Sequence, residues 1–149
     1  MYSKVNTDMN FVEREKKVEE FWKEHDTFRK SMERRKNGPT YTFYDGPPTA
    51  NGKPHIGHVL TRVIKDMIPR YRTMKGYMVP RKAGWDTHGL PVELEVEKLL
   101  GLDGKEQIEE YGLAPFIDKC KESVWKYKGM WEDFSGTVGF WADMDDPYV

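Results

Sequence analysis

Apolar positions along the chain fall into two spacings, and together they predict alternating helices and short strands. Phe11, Val18, Phe21, Trp22, His25 and Phe28 recur at steps of three and four with charge between them. That pattern predicts one amphipathic helix from Phe11 to about Lys36, its aromatic residues serving as core contacts. Asn10 followed by Glu13 suits the start of this helix, and the basic run Arg29 to Lys36 suits its end. Asn37-Gly38-Pro39 breaks it. Tyr41 to Tyr44 then predicts a short strand by its aromatic and β-branched content, and the turn formers from Asp45 to Pro54 predict a loop. Val59, Leu60, Val63, Ile64, Met67, Ile68 and Tyr71 follow at a 3.6-residue period. They predict a helix from Ile56 to about Met74, stopped by Gly76 and kinked or loosened at Pro69. Lys65 and Asp66, neighbours on this helix, are expected at its surface.

The second part of the chain repeats the alternation. Tyr77 to Pro80 predicts a second strand, and Pro91 suits the first turn of a helix reaching about Leu100. After a turn at Gly101 to Gly104, a longer helix is predicted from about Pro115 to Asp133. Phe116, Ile117, Cys120, Val124, Tyr127 and Trp131 would lie on one face of it. Thr137 to Trp141 reads as a possible strand and the acidic Asp143 to Pro147 as a turn. Strand, loop and helix in that repeated order predict an α/β fold of parallel βαβ units. Right-handed crossovers place both strand-following loops on one side of the sheet, where such folds bind ligands.

Composition narrows the function classes. The formal net charge of −1 argues against a domain that grips nucleic acid mainly through phosphates, because Lys and Arg are offset by Asp and Glu. A single cysteine, Cys120, excludes an internal disulfide and a multi-cysteine metal site, and its helical neighbours make it a buried small hydrophobe. No apolar run approaches the roughly 20 residues of a membrane helix and the start is polar, so a cytoplasmic address is expected.

The chemistry-bearing residues concentrate in the two loops. In the first, a Gly- and Pro-rich turn leads into a helix start, where free backbone N–H groups and the helix dipole favour an anion. His55 and His58 lie three apart, so a helical turn puts them on one face, and Gly57 keeps that surface low. On spacing alone such a pair serves a phosphate, a metal ion with further ligands from elsewhere, or only a solvated surface. No third ligand stands nearby in the sequence, so no metal site is expected. Lys53 reads as a solvated loop lysine. For Trp85 in the second loop, packing and ligand contact are equally open readings.

The string His55-Ile56-Gly57-His58, with the flanking Asp45 to Gly52 and the downstream Gly84-Trp85-Asp86-Thr87-His88-Gly89-Leu90-Pro91-Val92-Glu93, resembles the isoleucyl-tRNA synthetases. These belong to the class I aminoacyl-tRNA synthetases, and the likeness runs along essentially the whole chain. The resemblance implies the first half of a Rossmann-type nucleotide-binding fold preceded by an amino-terminal helix. Residues 1–38 would form that helical segment. Residues 39–149 would form the first part of the catalytic domain, ending near the start of the family's editing-domain insertion. It implies activation of isoleucine by ATP with Mg2+, then transfer to tRNA(Ile), which would be gripped mainly by regions absent from this chain. His55, Gly57 and His58 would bind ATP, the two histidines stabilising phosphate charge and Gly57 making room for the adenine. Gly46, Pro47, Trp85, Asp86 and His88 would line the amino-acid site, with Asp86 taking the α-ammonium group.

The family's second signature, a KMSKS loop, has no match here. The chain is therefore expected to supply half of an active site and to lack full aminoacylation activity by itself. Half a fold also implies an unpaired sheet edge and uncovered apolar helix faces. Two rivals stand beside this reading. A non-catalytic ATP- or partner-binding module derived from a synthetase would bind without turnover. A small nucleotidyltransferase with the same histidine turn would leave the Gly84–Glu93 stretch without purpose.

Overall fold

Three short parallel strands organise the chain in the order β1-β2-β3, with β1 at Phe43–Tyr44, β2 at Arg81–Gly84 and β3 at Asp143–Tyr148. The computed structural model describes residues 2–149. Seven helices surround the strands among these residues: α1 (Phe11–Glu24), α2 (Thr27–Glu33), α3 (Ile56–Met74), α4 (Leu90–Leu100), α5 (Lys105–Tyr111), α6 (Leu113–Ser123) and α7 (Lys128–Thr137). The α/β class and the parallel pairing agree with the pattern in the sequence. α3 is the crossover between β1 and β2. The loops leaving those two strands meet beyond their carboxyl ends, where Thr49 and Asp86 form an isolated parallel bridge.

Several boundaries differ from the sequence expectation. The first helix is two helices, parted at Asp26, the one non-glycine residue with positive φ (48°) among those described. Aspartate tolerates this left-handed conformation, and Arg29 pairs with its carboxylate. The Asn10 cap forms as expected, its side chain accepting from the Glu13 N–H at 3.3 Å. The aromatic residues of α1 are not core: Phe11 and Phe21 are exposed, and only Trp22 packs inward, edge-on to Trp141 at 5.0 Å. The second strand lies at Arg81–Gly84, one step beyond Tyr77–Pro80, where only Met78 bridges Thr40.

The long helix expected over Pro115–Asp133 is interrupted between α6 and α7, and the Tyr127 N–H there donates to the Ala50 carbonyl at 3.2 Å. Thr137–Trp141 ends α7 and makes no strand, whereas the acidic Asp143–Tyr148 segment does. β2 supplies the reason: Lys82 pairs with Asp146 at 2.7 Å, and Trp85 N–H donates to the Tyr148 carbonyl at 3.0 Å. A ladder and a countercharge outweigh poor strand propensity.

α3 begins and ends where the period predicts and runs through Pro69, but it is oriented unexpectedly. Its buried residues are Arg62, Asp66, Pro69 and Thr73, while Leu60, Val63, Ile64, Met67, Ile68 and Tyr71 are exposed. Asp66 is therefore not at the surface. It meets the buried Arg81 of β2 at 3.1 Å, and Arg81 also donates to Thr73 Oγ1 at 3.0 Å. Arg70 pairs with Asp66 from the helix side and lies over the Trp141 ring at 4.0 Å. Burial pushes the Arg81 guanidinium down to about 10, against the opposing pull of Asp66. The apolar core gathers elsewhere, around Ala50, Trp85 and Trp131, with Val92, Val96, Phe116 and Val124 between the later helices.

Candidate active site

The histidine turn is built by local hydrogen bonding. His55 caps α3, and its Nδ1 accepts the Gly57 N–H at 3.1 Å. His58 Nδ1 accepts the His55 N–H at 3.0 Å, and the two rings lie 3.8 Å apart. Each backbone donor requires a lone pair on Nδ1. Each ring therefore presents its hydrogen on Nε2, leaving two N–H donors not used by the turn. Burial lowers the His58 pKa, helped by the positive fields of His55, Arg62 and Lys65, so His58 stays neutral at physiological pH. A Cβ at Gly57 would come within 2.9 Å of the His55 ring. The space its missing side chain leaves is thus taken by His55 itself.

The two loops are joined at the mouth of this turn. Thr49 Oγ1 donates to Asp86 Oδ2 at 3.1 Å and the Asp86 N–H to the Pro48 carbonyl at 3.0 Å. Asn51 reaches across to the Pro91 carbonyl at 2.7 Å. α7 closes the back: Trp131 Nε1 donates to the Gly52 carbonyl at 2.8 Å, and its ring stands edge-on to His58 at 4.7 Å. A cleft of about 490 Å³ results, lined by Gly46, Pro47, Thr49, Lys53, His55, His58, Arg62, Lys65 and Trp131 among others. Its titratable lining is entirely basic, with no carboxylate. Such a surface suits a polyanion, and its two imidazole donors suit charge that moves during a reaction.

Of the residues singled out from the sequence, Gly46, Pro47, His55 and His58 share this cleft, with Gly57 in the turn between the histidines. Asp86 stands beside it through Thr49, its side chain 38% exposed. Trp85 is buried against Ala50 and Trp131 beneath the loops, its Nε1 without a partner. His88 follows Asp86 closely: its N–H reaches Asp86 Oδ1 at 3.5 Å and its Nδ1 stands 3.8 Å from the same oxygen, while its side chain, 92% exposed, also borders a second cleft of about 730 Å³ between α4, α5 and α6. Cys120 borders that second cleft and is half-buried, not fully enclosed as expected, with its thiol pushed up by burial and by Glu93.

Sequence reasoning missed Asp45, Arg62 and Lys65. Lys65 Nζ donates to Asp45 Oδ1 at 2.7 Å and to the Gly46 carbonyl at 2.6 Å, so this lysine is not a free surface group. Arg62, 4% exposed, stands 3.7 Å from the same carboxylate with its Cζ 4.5 Å above the Phe140 ring. Burial lowers its pKa against the pull of Asp45. The signal was in the numbering: 58, 62 and 65 are helical neighbours, so any residue there shares the face of His58.

The family model described as tRNA synthetases class I (I, L, M and V) matches residues 17–149, and the chain belongs to this family. Within it, the chain is similar to the isoleucine–tRNA ligase of Clostridium novyi, 63% identical over 149 residues, which is all of this chain and 14% of that protein. The isoleucine–tRNA ligase of Clostridium kluyveri is 62% identical over the same span, again 14% of its length. Isoleucine–tRNA ligase 2 of Bacillus cereus is 56% identical over 146 residues, 98% of this chain and 14% of that protein. The chain thus spans 14% of the length of these relatives. Among the described residues no helix is long and apolar enough to cross a membrane.

Proposed function

We propose that this chain supplies the histidine-turn half of an isoleucine-activating site, as the first part of a Rossmann-type catalytic domain. The carboxylate of isoleucine attacks the α-phosphate of ATP; a carboxyl O–P bond forms and the bond to the bridging oxygen breaks. Pyrophosphate leaves with the electron pair, and isoleucyl-adenylate then passes its aminoacyl group to tRNA(Ile). The observation that carries this reading is the pair of imidazoles whose Nδ1 atoms are committed to the turn, beside a cleft with only basic titratable lining. Two N–H donors held in place by a capping box need no reorganisation as charge develops on phosphate. The likeness to isoleucine–tRNA ligases supports the choice of amino acid.

In this reading Asp86 takes the α-ammonium group, because its carboxylate lies at the joined loops and remains accessible. Gly46 and Pro47 line the side-chain end. Trp85, being buried, shapes the pocket from below. His88, beside the Asp86 carboxylate at 3.8 Å, stands at the solvent edge of this site. Magnesium finds no carboxylate in the cleft lining, so it would be carried by the phosphates and water, neutralising phosphate charge, and none of the steps assigned to these residues depends on it.

Isoleucine-dependent ATP–pyrophosphate exchange by the intact gene product tests the proposal. Exchange should require isoleucine and fall by about 10²-fold in His58→Ala, the usual effect of removing one preorganised donor. A folded wild-type protein that shows no isoleucine-dependent exchange overturns it.

A further inference from the structure

We infer that Lys65 is a positioning residue that sets the amino-acid side of the cleft, an inference that rests on the function proposed above. Asp45 directly follows β1 and extends its ladder through an N–H bond to the Lys82 carbonyl at 2.9 Å, and its carboxylate is 1% exposed. Lys65 bridges this carboxylate and the next carbonyl, that of Gly46, with one ammonium group at 2.7 and 2.6 Å. The Tyr148 hydroxyl holds the Asp45 carbonyl from β3. Arg62, at 3.7 Å, is too distant for a hydrogen bond and contributes only its charge. Lys65 is therefore the sole side chain among those described that hydrogen-bonds the Gly46 carbonyl, at the point where the chain leaves the sheet for Pro47.

The geometry has a consequence for how the two substrates are brought together. His58 and Lys65 lie on one face of α3, two turns apart, or roughly 10 Å of helix rise. One rigid helix thus carries the phosphate donors at its start and the clamp on the amino-acid loop further along. The histidine turn is closed by its own capping bonds and does not need Lys65. Loss of the lysine should loosen Gly46 and Pro47 while leaving the phosphate side in place.

The test is steady-state ATP–pyrophosphate exchange in the intact gene product, with isoleucine and ATP varied separately in Lys65→Met and Lys65→Arg. Lys65→Met should raise the KM for isoleucine about ten-fold or more with the KM for ATP within about two-fold, and Lys65→Arg should recover most of the loss. An unchanged isoleucine KM, an equal rise in both KM values, or no recovery in Lys65→Arg overturns the inference. Lys65→Met leaves a buried carboxylate short of its partner and can fail to fold. Lys65→Gln keeps a shorter polar group there and leaves Asp45 facing Arg62 at 3.7 Å, and it must still show the isoleucine-selective rise; a wild-type isoleucine KM in Lys65→Gln overturns the inference as well. A wild-type protein with no isoleucine-dependent exchange overturns the proposed function and this inference together. Wild-type exchange with an unmoved KM in the variants overturns this inference alone.

Discussion

Replacing Asp66 with Ala strands the guanidinium of Arg81 in the interface between α3 and the sheet. The Arg81 side chain is 1% exposed and that of Asp66 12%, so water cannot take over the lost carboxylate. Breaking a buried pair by removing one partner destabilises by about 3–5 kcal/mol, because the remaining charge is uncompensated. Arg81 keeps its bond to Thr73 Oγ1 at 3.0 Å and a weak one to the Trp141 carbonyl at 3.5 Å, but its Nε already lacks a partner. The second pair lost, Arg70 with Asp66, is partly exposed on the arginine side and adds at most about 1 kcal/mol. A loss of about 3–4 kcal/mol is expected, a large share of the roughly 5–15 kcal/mol that holds a domain folded. Urea unfolding followed by tryptophan fluorescence measures it. The double variant Asp66→Leu with Arg81→Met leaves no orphan charge and should be less destabilised than Asp66→Ala. A single-variant loss under about 1 kcal/mol, or a double variant worse than the single, would refute the reasoning.

Two further outcomes follow from the same geometry. A methyl group on Gly84 would meet the Tyr148 ring at 2.5 Å, so Gly84→Ala should push that ring off the Asp45 carbonyl. A loss of about 1–3 kcal/mol is expected in urea unfolding, and a variant as stable as wild type would contradict the packing described. Because the folded-state pKa of His58 lies below its ordinary 6.5, the unfolded chain binds the proton first as pH falls. The His58 contribution to stability is whole above that ordinary value, declines as pH drops below it, and levels off below the folded-state pKa. Melting temperatures of wild type and His58→Gln from about pH 7.5 to about pH 5 should diverge in slope through that window, and parallel curves would rule the effect out.

The chain shows which parts of a structure local pattern can carry. The ends of α3 were legible, since the period and Gly76 mark them, and so was the meeting of the two loops, since strand–loop–helix order dictates it. The direction of α3 was not. Period locates an apolar stripe on a helix but cannot say that Arg81, on a strand elsewhere in the chain, will draw Asp66 and Thr73 inward instead, with Arg62 turned in beside Asp45. β3 was illegible for the same reason: Asp143, Asp145 and Asp146 have no strand propensity, and the ladder and the Lys82 ammonium that hold them there belong to β2. At the site, His55, Gly57 and His58 could be read as a unit because their bonds close within four residues. Lys65 could not, because its partners Asp45 and Gly46 lie twenty and nineteen residues away.

The outward stripe of α3 leaves its mark on heat capacity. Leu60, Val63, Met67 and their neighbours are hydrated whether the chain is folded or not, so they contribute little to the heat-capacity increase that accompanies unfolding. The chain should therefore fall below the ~12–15 cal/mol/K per residue usual for domains of its size, and its stability should vary only gently with temperature. Any surface that comes to cover the stripe takes up that missing share, giving association a negative heat-capacity change while the fold itself stays as it is.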